Sequence, residues 1–278
     1  MRLIFSDVAC EASINECITA LNGNSIIEPL PVATTATTTT RERSVRTFYP
    51  RMPSVGKNTG DVRIGKAVSD TKINALFETY KDNLEDSILA EGIERLCSDL
   101  CLSPDEFRVL LLAWKFDAAQ MCRFTREEFV NGCKAMCVDS LRAIQTKLPE
   151  IASQVSSNPD VFKDLYRFTF RFGLDSSSGQ RILPSDMAIV LWRLVFSVRE
   201  PPILCRWLRF LETHQQHIRG VPRDTWNMFL NFSEAVGEDL STYDDTEAWP
   251  SIFDDFVEYE NDQANQNISS KEKDDIIQ

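Results

Sequence analysis

Histidine is nearly missing from this 278-residue chain, which has only His214 and His217. Few general bases are therefore on offer, and no G-x-S-x-G elbow, P-loop or glycine-rich phosphate loop accompanies them. Nucleophilic catalysis has little support, and the two histidines, three apart near a helix end, are read as surface residues. Long hydrophobic runs are missing too. No stretch of about 18 apolar residues occurs, so nothing reads as a membrane-spanning helix. The apolar run after Arg2 is only Leu3-Ile4-Phe5, too short for a signal peptide. The chain is read as intracellular, with its 8 cysteines as thiols rather than disulfides. Positive charge is short as well: the net charge is −12. Phosphates would repel such a surface, which disfavours nucleic acid and anionic membrane and favours a basic protein partner.

The most telling absence is local. Between Asp224 and Ser270 there is no Lys or Arg. The same stretch holds Glu234, Glu238, Asp239, Asp244, Asp245, Glu247, Asp254, Asp255, Glu258 and Glu260, interleaved with Trp226, Phe232, Tyr243, Trp249, Phe253, Phe256 and Tyr259. Aromatics at that density imply a folded helical surface carrying fixed negative charge, not an acidic tail. Such a surface speeds association with a basic partner and sets its orientation.

What is present is mostly helix. Residues 1–70 read as a mostly disordered arm, because PVATTATTTTRERS and the Gly, Pro, Lys and Arg that follow bury too little apolar surface to order themselves. Ile14, Cys17, Ile18 and Leu21 suggest one short helix inside it. Residues 71–260 are the folded part, and 261–278 a flexible polar tail. Ile73, Leu76, Phe77 and Tyr80 fall at i, i+3, i+4, i+7, one face of a helix. Ile93, Leu96, Cys97 and Leu100 repeat this, as do Phe107, Leu110, Leu111 and Trp114. Ser103-Pro104-Asp105-Glu106 and Thr125-Arg126-Glu127-Glu128 both read as capping boxes. Further helices are expected on Phe162, Leu165, Tyr166 and Thr169; on Met187, Val190, Leu191, Leu194 and Val195, as a buried helix; on Leu204, Trp207, Leu208 and Leu211; on Trp226, Phe229 and Leu230; and from Trp249-Pro250 through Phe256. Strand-like alternation is nearly absent. The expected fold is all-α: one compact domain of about nine or ten helices in two sub-bundles joined near residues 145–160.

Two metal readings need weighing. Helix–loop–helix pairs dominate residues 72–140, an EF-hand-like pattern. With Ile88 at the eighth loop position, position 1 is Lys81 and position 12 is Gly92. With Phe124 there, position 1 is Asp117 and position 12 is Glu128, but positions 3, 5 and 6 are Ala119, Met121 and Cys122. Two carboxylates cannot replace the oxygen ligands that calcium needs. The Cys97/Cys101 and Cys133/Cys137 pairs have the spacing of a four-thiolate zinc site. They also sit in apolar helical stripes, where cysteine packs as a small core residue. No metal and no cofactor is expected.

FETYKD, LLLAWKF, FTREEF, FKDLYRFTF, DTWNMFLNF and EAWPSIFDDFVE, in this order over roughly residues 72–260, resemble the PONY domain of the DCN-like (defective in cullin neddylation) family. RVLLLAWKF, FRFGLDSSSGQR and REPPIL most resemble its DCN-like protein 3 branch. The resemblance implies a scaffold-type co-ligase without catalytic residues of its own, working in the cytoplasm and nucleus with cullins, their RING protein and the N-acetylated neddylation conjugating enzyme. It implies a cullin-binding patch at Asp224, Ala248 and Asp254, facing the winged-helix C-terminal region of cullins. It also implies a pocket for the enzyme's acetylated N-terminal methionine, lined by Ile93, Val109, Leu110, Leu112, Ala113, Phe116, Ala118, Cys122, Phe124, Phe172, Leu191 and Leu194. By periodicity alone most of these are core residues. A module that sequesters its partners would use the same sites, and a calcium-binding protein stays open as the other alternative. The branch's Met-Gly lipidation signal is not matched by Met1-Arg2, so membrane association by that route is not expected.

Overall fold

Helix–strand–helix is the unit from which this chain is assembled. The computed structural model describes residues 68–175 and 178–276, with side chains through residue 265. The expected helix on Ile14–Leu21 and nearly all of the 1–70 arm lie outside the described residues. Helix α1 (Asp70–Tyr80), strand β1 (Ser87–Ile88) and α2 (Ala90–Asp99) form the first unit; α3 (Phe107–Phe116), β2 (Phe124–Thr125) and α4 (Arg126–Ala135) form the second. Ile88 stands opposite Phe124 in the antiparallel β1–β2 pair. After α5 (Leu141–Ser157) the plan repeats. One unit is α6 (Pro159–Gly173), β3 (Ile182–Pro184) and α7 (Ser185–Phe196); the next is α8 (Leu204–Thr213), β4 (Gly220–Pro222) and α9 (Arg223–Ala235). Leu183 and Val221, both buried, face each other in the β3–β4 pair. Helix α10 (Ser251–Ile276) closes the chain and runs past the residue-260 boundary read from composition.

The two sub-bundles share one core. Helix α3 reads FRVLLLAWKF, apolar on nearly every side, and packs against α4 and α5 as well as α6 and α7. A helix apolar all round must be covered all round. Gly132 allows the close crossing of α4 over α3: a Cβ there would lie 2.7 Å from the Phe116 Cα.

Side-chain N-caps form at Thr125, Ser140 and Asn158. At Thr125 the capping box forms as read, side chain to the Glu128 N–H and Glu128 back to the Thr125 N–H. At Ser103 it does not. Glu106 accepts the Ser103 N–H, but the Ser103 hydroxyl turns to Asp105, and α3 begins only at Phe107. The cysteine pairs also belong to helix ends. Cys101 and Cys137 adopt left-handed φ of 57° just beyond α2 and α4, while the Cys97 and Cys133 carbonyls accept the N–H groups of Leu102 and Val138. That is a Schellman motif with cysteine where glycine is usual. It puts Cys97 and Cys133 in the core and leaves Cys101 and Cys137 exposed.

Burial pushes the Cys97 thiol up to about 11 and Cys133 up to about 12. The reactive thiolate at Cys97 is thus at least ~100-fold scarcer than at an ordinary thiol. Timed alkylation at pH 8 with peptide mapping should label Cys101 and Cys137 first, and Cys97 and Cys133 only at the rate at which the fold opens.

Candidate functional site

The acidic stretch divides cleanly by face. Trp226, Phe232, Phe253 and Phe256 are fully buried, whereas Asp224, Glu234, Glu238, Asp245, Glu247, Ala248, Asp254 and Asp255 are exposed. The apolar half therefore locks the segment onto the second sub-bundle and turns the carboxylates outward. Asp224 lies in the first turn of α9, Ala248 in the turn before α10, and Asp254 in the first turn of α10. Carboxylates near helix N-termini are favoured by the helix dipole. The Tyr243 hydroxyl donates to Asp254, and burial, then Asp254 itself, raises the phenol well above its usual range. Hydrogen bonds from the Ser241 and Thr246 hydroxyls hold Asp239 and Asp244 below the usual carboxylate range, so both stay charged at neutral pH. Among the described residues Asp224 has no ion pair or side-chain hydrogen bond. Glu260 does not face outward: Arg206 and Arg209 of α8 take it up.

Beneath Asp224 lies a closed polar network in an aromatic core. Trp226 donates its indole N–H to the Tyr166 carbonyl at 3.0 Å, and the Tyr166 hydroxyl donates to the Trp226 carbonyl at 2.7 Å. The Trp192 indole donates to that same hydroxyl at 2.8 Å. Three bonds thus join α6, α7 and α9 two residues from Asp224. His214, expected on the surface, is instead half-buried, its ring between Phe210 at 4.6 Å and Tyr259 at 5.1 Å. His217 is exposed.

The twelve apolar residues come from six places: α2 (Ile93), α3 (Val109, Leu110, Leu112, Ala113, Phe116), the following loop (Ala118, Cys122), β2 (Phe124), α6 (Phe172) and α7 (Leu191, Leu194). Helix α3 gathers them, because it packs against both α6 and α7. Phe116 and Phe124 meet edge to face at 5.2 Å. Val109, Cys122 and Leu194 are half-buried and the other nine are buried. The loop that carries Ala118 and Cys122 is held by Glu128, whose carboxylate accepts the Ala119 N–H at 2.9 Å and the Thr125 N–H at 2.7 Å. Asp117, the other loop carboxylate, pairs with Arg171 of α6. A separate cleft of about 580 Å³ opens beside Arg126, lined by Asn74, Asp86, Glu127 and Asn131 among others, and contains none of the twelve.

Residues 143–259 match the family model described as cullin binding. DCN1-like protein 3 of Xenopus laevis is 48% identical over 237 residues, covering 85% of this chain and 77% of that protein. The chain belongs to the DCN1-like protein family. DCN1-like protein 3 of Homo sapiens is 57% identical over 189 residues (68% of this chain, 62% of the relative), and that of Rattus norvegicus 54% over 200 residues (72% and 66%). The chain thus spans just under two thirds of the length of several of these relatives. The family match spans Asp224, Ala248 and Asp254, and from α5 onward it includes the Tyr166–Trp192–Trp226 network. Sequence reading passed over Trp192. The signal for it was there: an indole inside SDMAIVLWRLVF has to find a hydrogen-bond acceptor if buried.

Proposed function

We propose that this DCN1-like chain is a scaffold-type co-ligase that promotes cullin neddylation and so regulates cullin-RING ubiquitin ligases. It binds the winged-helix C-terminal region of a cullin at Asp224, Ala248 and Asp254. It takes the acetylated N-terminal methionine of the conjugating enzyme at the α3-centred apolar site, working with the cullin's RING protein. No side chain of its own does chemistry: holding the charged enzyme beside the acceptor lysine raises the rate by proximity. The observation that carries this reading is the acidic face, built on an aromatic core inside the cullin-binding match. Two carboxylates hold basic side chains, while Ala248 lets the partner approach closely.

Burying a methionine side chain contributes roughly 1.5–3 kcal/mol. A free ammonium carried into the same apolar site costs several kcal/mol, so acetylation acts as the switch. Calorimetry with the enzyme's N-terminal peptide should give at least a tenfold preference for the acetylated form; equal affinities would rule out the pocket. In a reconstituted cullin modification assay the added protein should raise the rate. A lowered rate would point to the sequestering module instead.

A further inference from the structure

The β3–β4 ribbon carries a feature that the acidic face does not absorb. Ile182 is 51% exposed, one of few large apolar side chains so placed among the described residues. It sits opposite Pro222 at the end of the ribbon that leads into α9. Gly220 keeps room for it, since a Cβ there would lie 2.6 Å from the Ile182 Cγ2. Three exposed arginines border the ribbon. Arg181 and Arg223 flank the Ile182–Pro222 pair, and Arg219 precedes Gly220 at the other end. Among the described residues none of the three has an ion pair or a side-chain hydrogen bond, although the chain carries a net charge of −12. Several other arginines are taken up by acids, Arg126 by Asp86 and Glu78 and Arg206 by Glu260, although Arg95, Arg142, Arg167 and Arg199 also make no ion pair among the described residues. Arg223 is followed directly by Asp224.

We infer that the ribbon is the second half of the cullin docking surface, receiving an acidic segment with an apolar side chain from the same protein that places its basic residues at Asp224. This rests on the cullin-binding reading and deepens it. An acidic face alone orients a basic partner by attraction only. An adjoining face of the opposite sign penalises the reversed pose, because like charges then meet. Protein rather than lipid is the fitting occupant. Asp186 and Asp224, both exposed, border the ribbon at the starts of α7 and α9 and would be pushed against anionic headgroups.

The test is binding of a recombinant cullin C-terminal region to the full chain, comparing Arg181→Glu with Arg219→Glu, Ile182→Ser, and Asp224→Arg. All four positions are exposed, and thermal melts confirm folding. The arginine double variant should weaken binding about tenfold, mostly through a slower on-rate, with Ile182→Ser weakening it less and through the off-rate. Loss of binding in Asp224→Arg with none in the ribbon variants overturns the inference and leaves the acidic patch standing. No loss in any variant overturns both. Sedimentation with phosphatidylserine vesicles covers the remaining occupant: binding that the arginine variant abolishes, with cullin affinity unchanged, assigns the ribbon to lipid and overturns the inference.

Discussion

Reversing both carboxylates of the proposed docking patch, Asp224→Arg with Asp254→Arg, should weaken cullin binding roughly a hundredfold, or about 2–3 kcal/mol. A single exposed ion pair is worth only about 0–1 kcal/mol, so charge removal alone is too gentle a test. Reversal does more, because it sets like charge against the partner's basic residues inside a contact that excludes water. Both positions are exposed and near helix starts, so the core is untouched. One local cost is expected: Tyr243 loses the carboxylate that its hydroxyl bonds. Asp254→Asn keeps an acceptor oxygen there and separates that effect from the charge. Calorimetry with the cullin C-terminal region gives the affinity, and the modification assay should lose its stimulation in parallel. Wild-type affinity in the double variant would refute the patch.

Trp192→Ala should lower folding stability by about 3–5 kcal/mol, the range for deleting a buried indole. Trp192 stacks on Trp226 at 4.6 Å, meets Trp207 edge-on at 5.6 Å and lies 5.2 Å from Phe229. Its loss opens a cavity among four helices that cannot collapse together, and it strips the Tyr166 hydroxyl of one bond. Trp192→Phe is the informative companion. It fills most of the volume but has no N–H, so it should cost about 1–3 kcal/mol less than alanine. Urea unfolding measures both. Alanine costing under 1 kcal/mol would mean that the three tryptophans are not the keystone of the second sub-bundle.

Helical periodicity read the fold well where helices are amphipathic. Ile93, Leu96, Cys97 and Leu100 are all buried, as are Phe162, Leu165, Tyr166 and Thr169. It was weaker on α7. There it took Leu191 and Val195, which are buried, but also Met187, Val190 and Leu194, which are half-buried, and passed over the buried Ala188, Ile189 and Trp192. The α5 helix went unread although Ile144, Leu148, Ile151 and Val155 keep helical spacing through it; Pro149 inside it reads as a helix breaker. Two- and three-residue strands are too short for alternation to register. The acidic face was legible from charge alone, since aromatics among acids fold. Its division into sites was not: only resemblance separated Asp224 and Asp254 from their acidic neighbours, or pocket walls from core.

Glu128 has one further consequence. Both of its oxygens already accept backbone N–H groups of the loop that carries Ala118, Cys122 and Phe124. That loop therefore closes on itself without help from a guest. Under the proposed reading, an incoming chain terminus would meet a loop already held in place, and the newcomer would be the one to surrender conformational freedom. A surface preorganised in this way can hold a short, mobile peptide that a looser loop would let go.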